Sequence, residues 1–364
     1  MKGPRDLVRE EVLALRAYAV PKAEGLVKLD AMENPYALPP EIAARMGERL
    51  AQVAVNRYPD AAQAALKARL RAALALPDAL ELVLGNGSDE VIQMLCLALA
   101  RPGAVALAPE PSFVMYRMSA IVAGMHYVGV PLREDFTLDE ERLQAAIAAH
   151  RPAITWLAYP NNPTGNLFPR EAILRAVAAS PGLVVVDEAY FPFSGGATLA
   201  GEVARHPNLV LVRTVSKLGL AGLRLGLAAG PAEWMAELEK VRPPYNVNVL
   251  TAAAAELLLG HPEVFEAQAA RIVADRARLE AGLDTIRGVR RYPSAANFVL
   301  ARVPDAPHAF EALKARGILV KTLHGSHPLL ANCLRLTVGT ADENAKLLAA
   351  LAAAVEPRQS HAQG

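Results

Sequence analysis

Cysteine is scarce in this chain: Cys96 and Cys333 are the only two in 364 residues. Two cysteines so far apart form no disulfide framework and supply no metal-ligand spacing, so neither a stapled scaffold nor a metal site is expected. No run of 18 or more apolar residues occurs, which leaves no candidate membrane-spanning helix. The opening MKGPRDLVREEV is charged and lacks the apolar core of a secretory signal. Excess charge is missing too. Thirty-eight Lys and Arg nearly cancel 37 Asp and Glu, for a net charge of +1. That removes the electrostatic footprint that nucleic acid or an anionic membrane demands of its partner. A cytoplasmic protein in a reducing compartment is expected, with neither nucleic acid nor membrane as partner.

What is present is core-forming material. Hydrophobic residues make up 53 % of the chain and charged residues 21 %, the composition of a folded protein rather than a disordered one. The length is that of about two domains. Residues 1–30 read as an arm with a short helix. A helix is expected over 60–75, a strand over 81–84 and a helix from Ser88 to Ala100, stopped by Pro102 and Gly103. Strand 104–108, helix 112–123, strand 126–131, helix 138–149 and strand 153–158 follow. Helix 169–179 and strands 183–186, 209–213 and 224–229 complete the series. Short apolar strands between amphipathic helices imply an α/β fold with a mostly parallel sheet and helices on both faces. After about residue 250 the pattern changes to α+β. Helices are expected over 249–259 and 262–287, strands over 289–292 and 297–303, then helix 306–316, strand 332–338 and helix 341–355. Thr340 is a good N-cap for that last helix, with Asp342 and Glu343 in its first turn.

Four short constellations carry chemistry. Gly85-Asn86-Gly87-Ser88-Asp89-Glu90 joins a strand to a helix. The open N–H groups and dipole at such a helix start suit a phosphate; a plain helix cap is the alternative. Asn161-Asn162-Pro163-Thr164-Gly165 follows strand 153–158. Its residues favour a β-turn, yet it sits at a strand's C-terminal end, where open α/β sheets bind ligands. Val184-Val185-Val186-Asp187-Glu188-Ala189-Tyr190 is a buried strand ending in a carboxylate. An Asp there can hold a pyridinium nitrogen protonated, or simply cap a turn. Thr214-Val215-Ser216-Lys217 follows another apolar strand, with Gly219, Gly222 and Arg224 after it. A surface lysine is the ordinary reading. A desolvated one has a lowered pKa and attacks carbonyl groups well.

The order of these features resembles the fold-type I pyridoxal-phosphate aminotransferases, with the histidinol-phosphate aminotransferase branch nearest. The resemblance runs through Glu33-Asn34-Pro35-Tyr36, Asn56-Arg57-Tyr58-Pro59, Gly87-Ser88-Asp89-Glu90 and Pro111-Ser112-Phe113. It continues through Asn162-Pro163-Thr164-Gly165, Asp187-Glu188-Ala189-Tyr190, Ser216-Lys217, Ala221–Gly226 and Cys333–Thr340. It implies an N-terminal arm over 1–30 packed on the small domain, a large cofactor-binding domain over 31–250, a small C-terminal domain over 251–357 and a flexible tail over 358–364. It implies the cofactor pyridoxal 5'-phosphate, bound covalently by Lys217, which also moves the substrate proton. Asp187 would pair with the pyridine nitrogen, and Asn162 and Tyr190 would meet the ring oxygen. Phe113 would stack on the ring. Ser88, Asp89, Thr214, Ser216 and Arg224 would cradle the phosphate. Tyr58 would reach the phosphate from the partner subunit of a homodimer. Arg335 would anchor substrate anions, with Tyr18, Asn34 and Lys321 as further substrate contacts.

Two departures from the family pattern stand out. Lys321 occupies a place where many relatives carry arginine, and lysine meets phosphate as a point charge rather than a fork. Lys217 and Arg224 lie seven residues apart, where eight is commoner, so the loop between them is expected to be tighter by one. His324 and His327 flank Gly325-Ser326 near the expected site edge and read as ordinary loop residues. The activity implied is amino transfer between L-glutamate and imidazole-acetol phosphate in histidine biosynthesis. The alternatives on the same scaffold are an aromatic or broad-specificity aminotransferase and threonine-phosphate decarboxylase.

Overall fold

Alternation in the middle of the chain sets the architecture, here described from a computed structural model over residues 3–17 and 21–356. Tyr18 and the 358–364 tail lie outside the described residues. Among the described residues, twelve strands form two sheets. In chain order they are β1 (Val27–Leu29), β2 (Glu81–Gly85), β3 (Val105–Glu110), β4 (His126–Pro131), β5 (Ile154–Ala158) and β6 (Leu183–Asp187). They continue with β7 (Leu209–Thr214), β8 (Gly226–Gly230), β9 (Arg290–Arg291), β10 (Phe298–Arg302), β11 (Ile318–Thr322) and β12 (Cys333–Thr337).

The larger sheet has seven strands in the order β2-β8-β7-β6-β5-β3-β4. Strands β4, β3, β5, β6 and β7 pair in parallel, while β8 runs antiparallel to both its neighbours. The sheet is therefore mostly parallel, as the strand–helix alternation predicts. Each central strand is apolar on both sides, because successive side chains point to opposite faces. In β6, Val184 and Val186 enter one core cluster and Leu183 and Val185 the other. In β7, Leu209 and Leu211 divide from Val210 and Val212 in the same way. Helices such as Ser88–Leu99, Val114–Ala123 and Arg170–Ala179 cover these faces.

The second sheet has the order β1-β11-β12-β10-β9 and is antiparallel except for the β1–β11 pair. Its first strand comes from the N-terminal end of the chain. It packs with the long helix Pro262–Asp284 and the last helix, Ala341–Val355, around Phe298, Leu334 and Leu336. Thr340 caps that last helix, accepting from Glu343 N–H while the Glu343 carboxylate accepts from Thr340 N–H.

Several elements differ from the sequence expectation. The helix expected from residue 60 begins at Ala64, because Gln63 turns left-handed at φ +53°. The helix Pro40–Ala51 is an element that the sequence reading did not include; it starts with proline at its first helical position, where no backbone N–H is needed. Strands β1 and β11 and the helix Ala232–Val241 were not anticipated either. The strand expected from residue 224 starts at Gly226, because Arg224 is left-handed at φ +48°.

A buried ion pair ties β6 to β7 just below the sheet's C-terminal edge. Arg213 Nε and Nη2 donate to Glu188 Oε2 at 2.9 and 2.6 Å, with side chains 2 % and 0 % exposed. The Leu199 N–H and the Thr198 hydroxyl also donate to Glu188, Arg213 donates to the Leu74 carbonyl, and its guanidinium lies over the Phe191 ring. Burying the two charges is tolerable only because every face is satisfied. Arg213→Ala leaves Glu188 buried and unpaired and is expected to cost about 3–5 kcal/mol of stability. Urea unfolding of the two proteins measures it; a loss under about 1 kcal/mol would show that the pair is not needed.

Candidate active site

The parallel strands end where β5, β6 and β7 release their connections, and one cavity opens there. Ser88, Asp89, Phe113, Asn162, Asp187, Tyr190, Thr214, Ser216, Lys217 and Arg224 all border it. They arrive from six separate stretches of sequence.

At one end lies an acid. Asp187, the last residue of β6, is 5 % exposed. Its Oδ2 accepts from the Tyr116 hydroxyl at 2.7 Å and its Oδ1 from Ala189 N–H at 3.0 Å. Burial pushes its pKa up to about 6, against the pull of those two hydrogen bonds. Tyr116 is itself fully buried and stacked on Trp156 at 4.8 Å, so the carboxylate has a rigid donor behind it.

An amine borders the same cavity. Lys217 follows β7 in a single 3-10 turn, Ser216–Leu218. Its Nζ donates to the Ala31 carbonyl at 3.3 Å and lies 5.7 Å from the centre of the Tyr190 ring. Burial first, and then the nearby Arg335 charge, bring its pKa down to about 8. An amine so placed has a far larger unprotonated fraction near neutral pH than an ordinary lysine, and that fraction is a competent nucleophile.

The third feature is a cradle for an anion. The helix Ser88–Leu99 starts at Gly87 with no side chain capping its amides. The Thr214 and Ser216 hydroxyls, 3.0 Å apart, and the Arg224 guanidinium border the same space. Gly87 has φ +87°, and a Cβ there would lie 2.6 Å from Arg224 Nη2. Glycine therefore lets the guanidinium approach the helix start. The seven-residue spacing from Lys217 to Arg224 is accommodated by two 3-10 turns and the left-handed Arg224, which also pairs loosely with Asp89 at 3.4 Å.

A second cavity of about 400 Å³ adjoins the first, sharing Met32, Phe113 and Asn162. Asn162 joins them: its Nδ2 donates to the Tyr190 hydroxyl at 3.0 Å and its Oδ1 accepts from Arg335 Nη1 at 2.7 Å. Arg335 is only 7 % exposed on β12, and its Nη2 donates to the Asp30 carbonyl at 2.9 Å. Lys321 on β11 registers directly opposite Arg335 and lines the same cavity. Two cations directly opposite each other on one sheet face repel unless an anion meets them.

Two residues named from the sequence stand elsewhere. Tyr58 is 81 % exposed and stacks on Tyr245 at 4.7 Å, outside the cavity. Asn34 does not line either cavity. Its Nδ2 donates to the Leu218 carbonyl at 2.9 Å and to Gln268, which braces the turn that carries Lys217. Tyr18 lies outside the described residues. His327 borders the second cavity and caps the short turn Pro328–Leu330, while His324 accepts from Asn332 N–H.

Two residues that the sequence reading missed contribute. Tyr116 sits one helical turn after Phe113, so the 3.6-residue period that follows the Pro-Ser-Phe motif was the available signal. Met32 borders both cavities with φ +53°, held by Asn297 and Thr337. A non-glycine residue in that region is strained and persists only when its surroundings hold it; nothing local in the sequence announces it.

These shifts carry signs that solution measurements can check. Unfolded, Asp187 titrates at its ordinary 3.8; folded, at about 6. Between those values the folded state holds the extra proton, so stability falls as pH rises, and above pH 6 the full cost is present. Asp187→Asn in cofactor-free protein is expected to be about 1–3 kcal/mol more stable than the parent at pH 7.5, with the gain vanishing toward pH 4. Urea titrations at the two pH values decide it, and a variant no more stable at pH 7.5 contradicts the burial cost. For Lys217, labelling by an amine-directed reagent is expected to rise with a midpoint near pH 8. A midpoint at the ordinary 10.5 would mean that the amine is not desolvated.

Comparison with known proteins agrees with this geometry. The profile of the family described as Aminotransferase class I and II matches residues 24–351. The chain is 57 % identical over 349 residues to a histidinol-phosphate aminotransferase from Chromobacterium violaceum, covering 95 % of this chain and 97 % of that one. It is 55 % identical over 352 residues to histidinol-phosphate aminotransferase 1 from Burkholderia lata, covering 96 % and 98 %. The fold matches a crystal structure of histidinol-phosphate aminotransferase from Sinorhizobium meliloti in complex with pyridoxal-5'-phosphate, with a TM-score of 0.85, 24 % identity and coverage of 96 % and 97 %. With a buried acid, a buried amine and an anion cradle around one cavity, and with relatives matched over nearly the whole length, the chain belongs to the class I and II aminotransferases.

Proposed function

We propose that the chain transfers an amino group between L-glutamate and imidazole-acetol phosphate, as a histidinol-phosphate aminotransferase with pyridoxal 5'-phosphate as cofactor. The observation that carries this reading is the pairing of Lys321 with Arg335 beside a cavity bordered by Lys217 and Asp187. The relatives named histidinol-phosphate aminotransferase, more than half identical along the chain, support it.

The donor set fits the cofactor. A phosphate suits the uncapped helix start at Ser88 and Asp89, with Thr214, Ser216 and Arg224 around it. A pyridine nitrogen suits Asp187, whose pKa near 6 allows it to hold a proton between two bases. Asn162 and Tyr190 would meet the ring oxygen, and Phe113 would cover a ring face. When bound, the cofactor supplies a carbonyl for condensation and a protonated ring that draws electrons from the substrate α-carbon.

The chain's own groups do the rest. Lys217 Nζ, with a pKa of about 8, can both attack a carbonyl and then carry a proton to and from the α-carbon. Arg335 and Lys321 would hold the anion, a carboxylate of glutamate in one half-reaction and the phosphate of the ketone in the other. The β7 turn and the Asn34 brace hold the lysine in place while these substrates alternate.

We further propose a homodimer in which the exposed Tyr58 of one subunit reaches the cofactor phosphate of the other. The chain is read as a cytoplasmic enzyme, with a large domain over 31–250, a small domain over 251–357 and the arm over 1–30 packed on the small domain.

A substrate panel tests the assignment. Purified protein is expected to be yellow and to turn over imidazole-acetol phosphate with glutamate more efficiently than phenylpyruvate. Lys217→Ala is expected to remove both turnover and the covalent adduct that borohydride reduction traps. Lys321→Ala is expected to raise KM for the phosphorylated ketone about tenfold while changing that for glutamate less. A preference for phenylpyruvate would make it an aromatic aminotransferase, and release of carbon dioxide from threonine phosphate would make it a decarboxylase.

A further inference from the structure

The second cavity has an acidic wall that the anion site does not use. Glu110, the last residue of β3, borders it together with Tyr127, Arg117 and His327. These residues come from β3, β4, the helix Val114–Ala123 and the turn before Pro328. Lys321 and Arg335 line the same cavity from β11 and β12. One space therefore offers cations from one sheet and a carboxylate from the other.

The carboxylate is positioned rather than loose. Burial, and then the negative charge of Glu110 nearby, hold the Tyr127 phenol above its ordinary pKa. The Glu110 side chain lies against Gly129, where strand pairing sets residue 129 beside Ala108, two residues before Glu110. A Cβ on residue 129 would lie 2.2 Å from Glu110 Oε2. That is closer than real atoms approach, so glycine at 129 keeps the space in which the carboxylate sits. Arg117 lies over the Tyr127 ring at 5.7 Å.

We propose that Glu110 is a specificity-determining residue that accepts a hydrogen bond from the ring N–H of an imidazole-bearing substrate, selecting it over a phenyl-bearing one. The inference rests on the proposed amino transfer to a phosphorylated imidazole ketone and names the group that reads its ring. An imidazole carries one N–H when neutral and two when protonated, so a carboxylate always finds a donor. A phenyl ring has none, and placing it there leaves the carboxylate desolvated and unpaired. Sites built to hydrogen-bond a polar group discriminate strongly against analogues lacking it.

The test compares kcat/KM for imidazole-acetol phosphate and for phenylpyruvate, with glutamate as donor, in the holoenzyme. Glu110→Leu keeps comparable bulk but removes the acceptor. Gly129→Ala leaves Glu110 in the sequence and displaces its carboxylate. Both are expected to lower the imidazole-to-phenyl ratio about tenfold or more, mainly through KM for the imidazole substrate. An unmoved ratio in an active, folded variant overturns the inference, as does an equal loss on both substrates, which marks a structural role. A parent that fails to turn over the imidazole ketone overturns the proposed function and this inference with it; an active parent with unresponsive variants overturns this inference alone.

Discussion

The constraint on which the structure depends is the burial of two opposite titratable groups around one small space. An aspartate and a lysine each resist ionisation there, because protein has replaced the water that would stabilise their charges. The acid moves up to about 6 and the amine down to about 8. Neither shift favours the fold. Both bring groups that are inert at neutral pH into the range where protons change hands. The rest of the large sheet works to hold them: apolar strands on both faces, a satisfied ion pair below, and Tyr116 pinned by Trp156 behind the acid.

The second sheet adds positive charge beside the acid and the amine. It carries Arg335 and Lys321 on paired strands to the adjoining cavity. The chain segment at residues 30–32 stitches the two regions. Consecutive carbonyls of Asp30 and Ala31 accept from Arg335 and Lys217, and Met32 borders both cavities. The strand β1 just before that segment belongs to the second sheet, so the Lys217 amine and the Arg335 guanidinium are fastened to one short stretch of chain.

Much of this was legible in the sequence because it is local. Three β-branched residues before Asp187 announce a buried strand with its acid at the tip, and glycines around Ser88 announce a turn into a helix. The order of four such signals was enough to indicate a family. What was not legible depends on pairing between distant segments. Strand β11 is five residues long and follows a glycine, so its register opposite β12, and hence the closeness of Lys321 and Arg335, had no local sign. Asn34 carries a family motif, yet its side chain turns to the Leu218 carbonyl, a contact across 184 positions. Glu110 and Gly129 meet only because β3 and β4 run side by side. Tyr116 was hidden because a buried tyrosine in an apolar helix looks like any other core residue.

The Asn162 amide has a polarity that its neighbours fix. A guanidinium can only donate, so the amide oxygen must face Arg335 and its nitrogen must face the tyrosine. The Tyr190 oxygen is thereby an acceptor, and its own hydrogen must be directed to some other acceptor. Every bond in this row points the same way, from the cation, through the amide, to the phenol. Dipoles aligned head to tail strengthen one another. An anion arriving at Arg335 therefore weakens the pull on the amide, and the phenol at the far end becomes a slightly poorer donor without moving at all.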